Sequence, residues 1–331
     1  MSQNKHFCLL GGGGFIGTRL ASQLLKDGFK VTSIDNSEES IFWSKLQFDK
    51  YKSNFCGVVG DVCNAADFRS FIETADACVF LAASKHVDLA EHNPLHANRL
   101  NVIGLEACAE IARNTCENFV LMSTDKSAYP TNVMGATKLI GERIILNKAS
   151  SNTSTKYNIV RLGNVLLSHG SILKVFEKKL TEKAPLPIRG ETTTRFLMTA
   201  ADALDLIKLA TEETSRGAIY AKNMISARIV DLAHAYLKHQ KIDTFDLRSS
   251  SLRAGEKAHE LIFTPSEATN LSLISAGSVL KWHPSSGSIN GSIDLKLLDS
   301  ATKPVSTIDQ LEELIRLAYI EENRHEFFAR F

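Results

Sequence analysis

Short apolar runs alternate with amphipathic stretches through the first half of the chain. The runs have the length and composition of buried strands, and they read HFCLLG, KVTSID, FCGVVGD, DACVFLAA, NFVLMST and YNIVRLGN. Segments between them, such as FIGTRLASQLLKDG, repeat apolar residues at helical spacing. Alternation of this kind predicts an α/β fold, a doubly wound parallel sheet with helices on both faces.

A glycine-rich segment, LLGGGGFIG, joins the first predicted strand to the first predicted helix. It places Gly11, Gly14 and Gly17 three residues apart. Glycine allows a tight turn and lets a pyrophosphate approach the backbone, and the helix that begins here offers free N–H groups to phosphates. Glycine-rich turns are common, but this one lies between a strand and a helix. We therefore predict a dinucleotide-binding loop, with Phe15 and Ile16 also contacting the cofactor.

Acidic residues end the second and third predicted strands. Asp35 would accept hydrogen bonds from the adenosine ribose and repel a 2′-phosphate, which favours NAD over NADP unless Lys45 or another nearby base offsets the charge. Asp61 is predicted to bond the adenine edge, the alternative being an aspartate that only forms a turn. The other predicted cofactor contacts are Val62, Leu81, Ala82 and Ala83.

Composition excludes several classes of protein. The 331 residues are 44% hydrophobic and 23% charged with a net charge of +1, which gives no electrostatic case for nucleic acid or a membrane surface. Apolar runs are too short for a signal peptide or a membrane span, so we predict a cytoplasmic protein without a membrane anchor. The six cysteines form no CxxC pair and are expected to be buried thiols. The histidines show no HxxxH or HExxH spacing, so we predict no catalytic metal.

After Asn164 the strand–helix pattern loosens. Turn-rich pieces, including APLPIRGETTTRF and LRSSSLRAGEK, separate shorter helical stretches such as TAADALDLIKLATEE and ARIVDLAHAYLKH. We predict a dinucleotide-binding domain over residues 1–165. Residues 166–331 would form a smaller substrate-binding part that is interleaved with the last strands of the sheet.

Several ordered blocks carry a family resemblance. They read LAASKHVDLAEHNPLHANRLNVIG, STDKSAYPTNVMGATK, RLGNVLLSHGS, TRFLMT and LRAGEKAHE. Over roughly residues 7–262 the chain resembles the extended short-chain dehydrogenase/reductases, and in particular the polysaccharide-biosynthesis branch with its UDP-N-acetylglucosamine 4,6-dehydratases. Met134 stands where the superfamily has a catalytic tyrosine, as in some members of this branch. His169 and Ala254 depart from the arginine and proline that are usual there.

The resemblance implies a Rossmann fold and a division of labour in the site. Asp125 would protonate the departing C6 hydroxyl, and Lys126 would remove the C5 proton. This requires a protonated Asp125 and a neutral Lys126, and we expect a crowded, water-poor site to shift both pKa values in those directions. Lys138 would hold the nicotinamide ribose, and Met134 would form a wall of the active site. The base for the C4 hydroxyl stays open between Thr124, Asp125 and a water held by Lys138.

The same blocks suggest substrate contacts and partners. Lys85 would line the crevice near the sugar, Asn164, Arg195 and Arg253 would bind the diphosphate and uridine, and Glu256 would accept from the uridine ribose. The implied substrate is a UDP-sugar and the implied assembly a homodimer.

Two further functions compete with the dehydratase. One is a C5-epimerase or C4-reductase that acts on the keto or unsaturated product in the same pathway. The other is a non-catalytic sensor of a dinucleotide or sugar nucleotide. Retention of Asp125, Lys126 and Lys138 argues against a pure binder, because binding alone does not need an acid–base pair.

Overall fold

A computed structural model describes residues 5–284, 294–303 and 306–323. Its strands are β1 His6–Leu10, β2 Lys30–Asp35, β3 Phe55–Val59, β4 Ala77–Phe80, β5 Asn118–Thr124, β6 Lys156–Leu162, β7 Asn164–Val165, β8 Leu186–Arg189, β9 Thr194–Met198, β10 Ile219–Lys222, β11 Ile225–Arg228, β12 Leu247–Ser250, β13 Leu271–Ile274 and β14 Val279–Trp282. Its α-helices are α1 Phe15–Lys26, α2 Glu38–Gln47, α3 Arg69–Glu73, α4 Val87–His92, α5 Pro94–Asn98, α6 Leu105–Ile111, α7 Val133–Ser150, α8 Ile172–Thr181, α9 Ala200–Glu212, α10 Ile229–His239, α11 Pro265–Ala268 and α12 Ile308–Asn323.

The main sheet of the described chain has nine strands in the order β13-β14-β10-β6-β5-β4-β1-β2-β3. The strands from β3 to β10 in this order pair in parallel, whereas β14 pairs antiparallel with β10 and β13 antiparallel with β14. The strand order reverses between β1 and β4: β2 and β3 follow β1 towards one edge of the sheet, and β5 and β6 follow β4 towards the other. In parallel sheets, ligands bind in the crevice at such a reversal. The predicted doubly wound α/β fold is confirmed.

Two hydrophobic cores flank this crevice. The larger core packs the parallel strands against the helices on both faces, as the continuous apolar strand sequences require. The smaller core lies between α8, α10, α12 and β8. Of the two small sheets, β11-β9-β7 contributes residues to both cores, whereas β12-β8 contributes only to the smaller one. The crevice is therefore bordered by the sheet edge on one side and by a second packed unit on the other.

Local capping fixes where the two site-bearing segments begin. At the end of β5 the backbone enters a short 3-10 turn, Asp125–Ser127, where the Thr124 hydroxyl accepts a hydrogen bond from the backbone N–H of Lys126. Helix α7 starts after Asn132, whose side-chain oxygen accepts a hydrogen bond from the backbone N–H of Gly135 at 2.8 Å. The two segments meet at the carboxyl end of β5.

Surface features complete the description of the fold. No helix within residues 5–284, 294–303 and 306–323 is both long and apolar enough to span a bilayer. Cys8, Cys78, Cys108 and Cys116 are buried free thiols, as expected. The expectation was wrong for Cys56 and Cys63, which are exposed. Cys56 lies on β3, the edge strand of the main sheet.

Candidate active site

A cavity of about 740 Å³ opens at the carboxyl edge of the parallel strands. Its walls come from the glycine loop, from the ends of β2 to β6 and from the segment 162–172. All the predicted cofactor contacts line it: Gly11, Gly14, Phe15, Ile16, Gly17, Asp35, Asp61, Val62, Leu81, Ala82, Ala83 and Lys138. A single cavity thus collects residues that are far apart in the sequence.

Each glycine of the loop has a distinct steric environment. Gly11 has a φ of +87°, and a Cβ there would lie 2.5 Å from the backbone nitrogen of Ala82. A Cβ on Gly17 would lie 2.6 Å from the carbonyl oxygen of Gly12. At Gly14, by contrast, the nearest atom to a Cβ would be 3.4 Å away, and no side chain caps the helix that starts there. The residues present fit a dinucleotide, because the start of α1 leaves open space and free N–H groups for phosphates.

Asp35 and Asp61 border this cavity at the carboxyl ends of β2 and β3. The Asp35 carboxylate accepts hydrogen bonds from the backbone N–H groups of Gly13 and Ser37, both at 3.0 Å. Asp61 accepts from the backbone N–H of Cys63 at 2.9 Å, so it does form a turn, and it also lines the cavity. Asp35 is therefore held at the tip of β2, beside the glycine loop.

The Asp125–Lys126 pair lies at the carboxyl end of β5. Asp125 is fully buried, and its Oδ1 accepts from the Thr124 hydroxyl at 2.8 Å and from Lys126 Nζ at 3.0 Å. Its Oδ2 has no hydrogen-bond partner within the described chain. Thr124 and Lys126 line the cavity, whereas Asp125 lies behind them. An unpartnered buried carboxyl oxygen is costly, which marks it as a candidate to hold or donate a proton.

A third ionisable group joins this pair. Glu260 Oε1 lies 3.5 Å from Lys126 Nζ, and the Glu260 side chain is buried. Glu260 ends the block LRAGEKAHE, and the sequence reasoning selected Arg253 and Glu256 from that block instead. No periodicity or spacing signal shows that its last residue reaches Lys126, because the contact depends on how two distant segments approach each other.

The charge state expected for Lys126 was wrong. Burial acts to lower the pKa of Lys126, but the negative charges of Asp125 and Glu260 outweigh burial and leave that pKa above its usual value. In the ligand-free protein the proton of this pair therefore resides on Lys126 Nζ.

For Lys138, the effect of burial on the pKa outweighs the effect of the nearby negative charge. Its Nζ donates to the carbonyl oxygen of Met122 at 2.9 Å, and burial lowers the pKa of Lys138 to about 8, with Glu142 partly opposing the effect. Met134, one turn earlier on α7, is buried against Ala90 and Ala97 and lines the same cavity. Helical spacing places Met134 and Lys138 on one face.

Glu142 supports the turn that carries the acid–base pair. Its Oε1 accepts from the hydroxyls of Ser123 at 2.5 Å and Ser127 at 2.6 Å, the residues on either side of Thr124–Lys126. Arg161 on β6 pairs with Glu142 at 2.7 Å and with Glu267 at 2.8 Å, and all three side chains are buried. The sequence reasoning did not identify this network.

The predicted substrate contacts fall into two groups. Lys85 and Asn164 line the cavity; Lys85 Nζ donates to the carbonyl oxygen of His169 at 3.0 Å, and Asn164 Oδ1 accepts from Lys126 Nζ at 3.4 Å. Burial lowers the pKa of Lys85.

Arg195, Arg253 and Glu256 lie outside the cavity lining. The Arg195 guanidinium donates to backbone carbonyls of residues 194, 257 and 258 and lies 3.6 Å from Glu256. Arg253 is exposed and pairs with Asp88 on α4 at 3.3 Å.

Sheet order, glycine loop and cavity together define a Rossmann-type dinucleotide-binding enzyme. Residues 8–279 match the profile of the family described as polysaccharide biosynthesis protein, and the chain belongs to this family. The predicted branch of the extended short-chain dehydrogenase/reductases is thereby confirmed.

Known proteins similar to this chain support the assignment. The chain is 33% identical over 80% of its length to the capsular polysaccharide biosynthesis protein CapD of Staphylococcus aureus, and it spans 46% of that protein. It is 30% identical over 81% of its length to the UDP-N-acetylglucosamine 4,6-dehydratase (inverting) of Campylobacter jejuni, of which it covers 80%. The solved structure of Pen from Bacillus thuringiensis superposes with a TM-score of 0.88 at 25% identity, over 96% of this chain and 98% of that one.

Relatives named as nucleotide-sugar dehydratases and as epimerases both occur in this group. The chain is therefore an enzyme of the nucleotide-sugar dehydratase and epimerase family.

Proposed function

We propose that the protein is a 4,6-dehydratase of UDP-N-acetylglucosamine or a close UDP-N-acetylhexosamine, serving the synthesis of sugars for surface polysaccharides or glycans. The observation that carries the proposal is the Asp125–Lys126 pair: Lys126 lines the cavity, and Asp125 is buried behind it with an Oδ2 that has no hydrogen-bond partner within the described residues. An elimination of water needs one acid and one base on the same face of the sugar. A binding protein gains nothing from this costly arrangement.

The pair already holds the proton that the reaction needs. Moving one proton from Lys126 Nζ to Asp125 Oδ1, along their 3.0 Å hydrogen bond, turns the ion pair into a neutral acid and a neutral amine. Lys126 then takes the C5 proton, Asp125 protonates the departing C6 hydroxyl, and Lys126 later returns a proton to C5. The raised pKa of Lys126 is compatible with this scheme because the internal transfer leaves the total number of protons on the pair unchanged. Over the full cycle the proton lost from the C4 hydroxyl replaces the one that leaves in water, which restores the pair.

A nicotinamide dinucleotide would be held by the glycine loop, Asp35 and Lys138, and it supplies the acceptor and donor of the hydride that leaves C4 and returns to C6. Lys85 and Asn164 would orient the sugar and its diphosphate. Met134 moves no proton, so it shapes the wall beside Lys138. The C4 hydroxyl would lose its proton to Thr124, Asp125 or a water near Lys138.

Cofactor preference is a direct prediction of this scheme. The Asp35 carboxylate at the tip of β2 should favour NAD by about tenfold or more over NADP, because charge repulsion at short range exceeds about 1 kcal/mol. Calorimetric titration measures the affinities for NAD and NADP, and Asp35→Ser should bring their ratio closer to one. Equal affinities in the wild-type protein would remove the role given to Asp35.

The decisive experiment is incubation with UDP-N-acetylglucosamine in deuterated water, followed by NMR. A dehydratase forms a 4-keto-6-deoxy sugar with deuterium at C5 and needs no added reductant. A C4-reductase consumes NAD(P)H, a C5-epimerase needs the keto product as its substrate, and a sensor leaves the sugar unchanged. An unchanged sugar in the presence of bound NAD would refute the proposal.

Two wider inferences accompany this function. A sugar-nucleotide enzyme with free thiols is expected to act in the cytoplasm. The family resemblance further suggests a homodimer, for which analytical ultracentrifugation should give twice the 36.4 kDa mass of one chain.

A further inference from the structure

Glu260 lies next to Lys126 but does not line the cavity. Its side chain is 2% exposed, and its Oε1 lies 3.5 Å from Lys126 Nζ. Asp125 Oδ1 approaches the same ammonium at 3.0 Å. Lys126 Nζ thus lies in contact with two buried carboxylates, one from its own turn and one from a segment that follows β12.

We propose that Glu260 is a positioning residue that holds Lys126 beside the cavity and stabilises the positive charge formed when Lys126 takes the C5 proton. The inference rests on the proposed dehydratase function. It extends that function by naming a group that acts through the base and does not touch the sugar.

Glu260 is itself held by a second ion pair and through its backbone. Lys257 Nζ lies 2.7 Å from Glu260 Oε2 and donates to the carbonyl oxygen of Tyr129 at 2.9 Å. The backbone N–H of Glu260 donates to the Ser300 hydroxyl at 2.8 Å. A carboxylate fixed in this way needs little reorganisation when charge develops nearby, which is the property that makes an electrostatic partner effective.

The charges around Lys126 and Glu260 determine which of the two groups is protonated. Asp125 and Glu260 favour the ammonium, Arg195 opposes it, and Asn164 contributes a neutral oxygen. Around Glu260 the charged groups are Lys126, Lys257 and Arg195, which together outweigh burial and leave the pKa of Glu260 below its usual value. Glu260 therefore remains a carboxylate while Lys126 gains and loses its proton.

The chemical step balances with this assignment. The C5–H bond breaks, its proton forms the third N–H bond of Lys126, and the electron pair left on C5 expels the C6 hydroxyl. That hydroxyl takes the proton held by Asp125 and leaves as water. Asp125 becomes an anion and Lys126 a cation in the same step, so Glu260 contributes a second negative charge beside the new ammonium.

The first test measures Lys126 directly in the ligand-free protein. Lysine is labelled with ¹³C at the ε-carbon, and the Lys126 resonance is assigned by its absence from Lys126→Arg. The wild-type midpoint should lie above the usual lysine value of about 10.4. In Glu260→Gln it should fall by about one to three pH units, because an opposite charge within about 4–6 Å shifts a pKa by that amount.

Glu213 supplies a matched control. It pairs with Lys281 Nζ at 2.9 Å, but it precedes β10 and so lies at the amino edge of the sheet, away from the cavity. Glu213→Gln should leave the Lys126 midpoint unchanged. Glu260→Asp serves as a second variant if Glu260→Gln fails to fold. It moves the carboxylate away by one methylene and must still lower the titration midpoint of Lys126.

The second test follows C5 deuterium exchange on UDP-N-acetylglucosamine. Glu260→Gln should exchange about tenfold or more slowly than wild type, because Lys126 is no longer held beside the cavity. NAD affinity should be unchanged, and Glu260→Asp should recover part of the rate. A Lys126 midpoint that is the same in wild type and Glu260→Gln overturns the inference, whatever the activity. A shifted midpoint in a protein that never turns over the sugar refutes the proposed function, while the electrostatic link between Glu260 and Lys126 stands.

Discussion

Met134 and Lys126 line one cavity and Asp125 is buried beside Lys126, and substitution should separate the roles of these side chains. Asp125→Asn and Lys126→Ala should fold and bind NAD but lose about 10²–10⁴-fold in product formation, the usual contribution of a positioned acid or base. Lys126→Ala should also abolish deuterium incorporation at C5. Met134→Ala should be milder, because a thioether moves no proton and its loss affects only packing.

NMR product assays compare the three variants, with circular dichroism as the control for folding. The proposed division of labour fails if Met134→Ala is as inactive as Asp125→Asn. It also fails if Lys126→Ala keeps wild-type turnover.

Lys138 should make dinucleotide binding depend on pH. Burial places the pKa of Lys138 at about 8, so its ammonium is present below that pH and is lost as the pH rises through it. A hydrogen bond from a charged donor exceeds a neutral one by about 1 kcal/mol, so NAD affinity should fall roughly fivefold between pH 7 and pH 9. Calorimetry across this range measures the change, and Lys138→Met, which has no ammonium to lose, should bind weakly and uniformly. A wild-type affinity that stays flat would exclude a role for this charge.

At single positions, the sequence identifies residues of the cavity lining where those residues lie together in one short segment. The glycine loop, Asp35 and the Thr124–Lys126 turn are each read from neighbouring residues, and all of them except Asp125 line the cavity. Glu260 could not be found this way, since its effect on Lys126 depends on a tertiary approach between distant segments. The charge of Lys126 was misjudged for the same reason: burial was foreseen, but the second carboxylate was not.

On helix α7, Met134, Lys138 and Glu142 lie at intervals of four residues along a single face. Its buried Glu142 shares Arg161 with Glu267 of α11. Replacing Arg161 with Met would leave two buried carboxylates without their common partner. We expect a loss of about 3–5 kcal/mol in the free energy of unfolding.

Urea denaturation of Arg161→Met measures this loss. Arg228→Ala is the control, because Arg228 pairs with Asp231 at 2.6 Å on an exposed surface, where such pairs contribute about 0–1 kcal/mol. Similar losses in both variants would show that the buried network adds no more than a surface ion pair.

The long helical stretch before β5 shows what periodicity leaves out. Its apolar residues recur at helical spacing, but residues Arg99–Gly104 form a π-helical segment between α5 and α6. Within that segment the Asn101 side chain bonds the backbone of Ser84 and donates to the Thr137 hydroxyl at 3.0 Å. Those contacts connect the end of β4 to α7, and a pattern of apolar residues contains no information about them.

At the scale of the whole molecule, the exposed Arg253 connects the segment after β12 to α4 through Asp88. If this arginine binds the diphosphate, Arg253→Ala should weaken UDP binding by roughly 1.5–3 kcal/mol, the contribution of a hydrogen bond to a charged group. NAD binding should hardly change. Calorimetry with UDP tests this, using Arg228→Ala as the control for removal of a surface arginine. Unaltered UDP affinity would place the diphosphate elsewhere and leave Arg253 only its contact with Asp88.

The contacts of the buried Arg161 on β6 can form only in a fixed order during synthesis. Glu142 leaves the ribosome 19 residues before Arg161, but Glu267 follows it by 106 residues. Until then the guanidinium has one of its two carboxylates, and β6 remains an open sheet edge until β10 arrives to pair with it. The nascent first half therefore carries a guanidinium with unsatisfied hydrogen-bond donors and an unpaired strand while the rest is translated, a period in which contact with chaperones has the greatest effect.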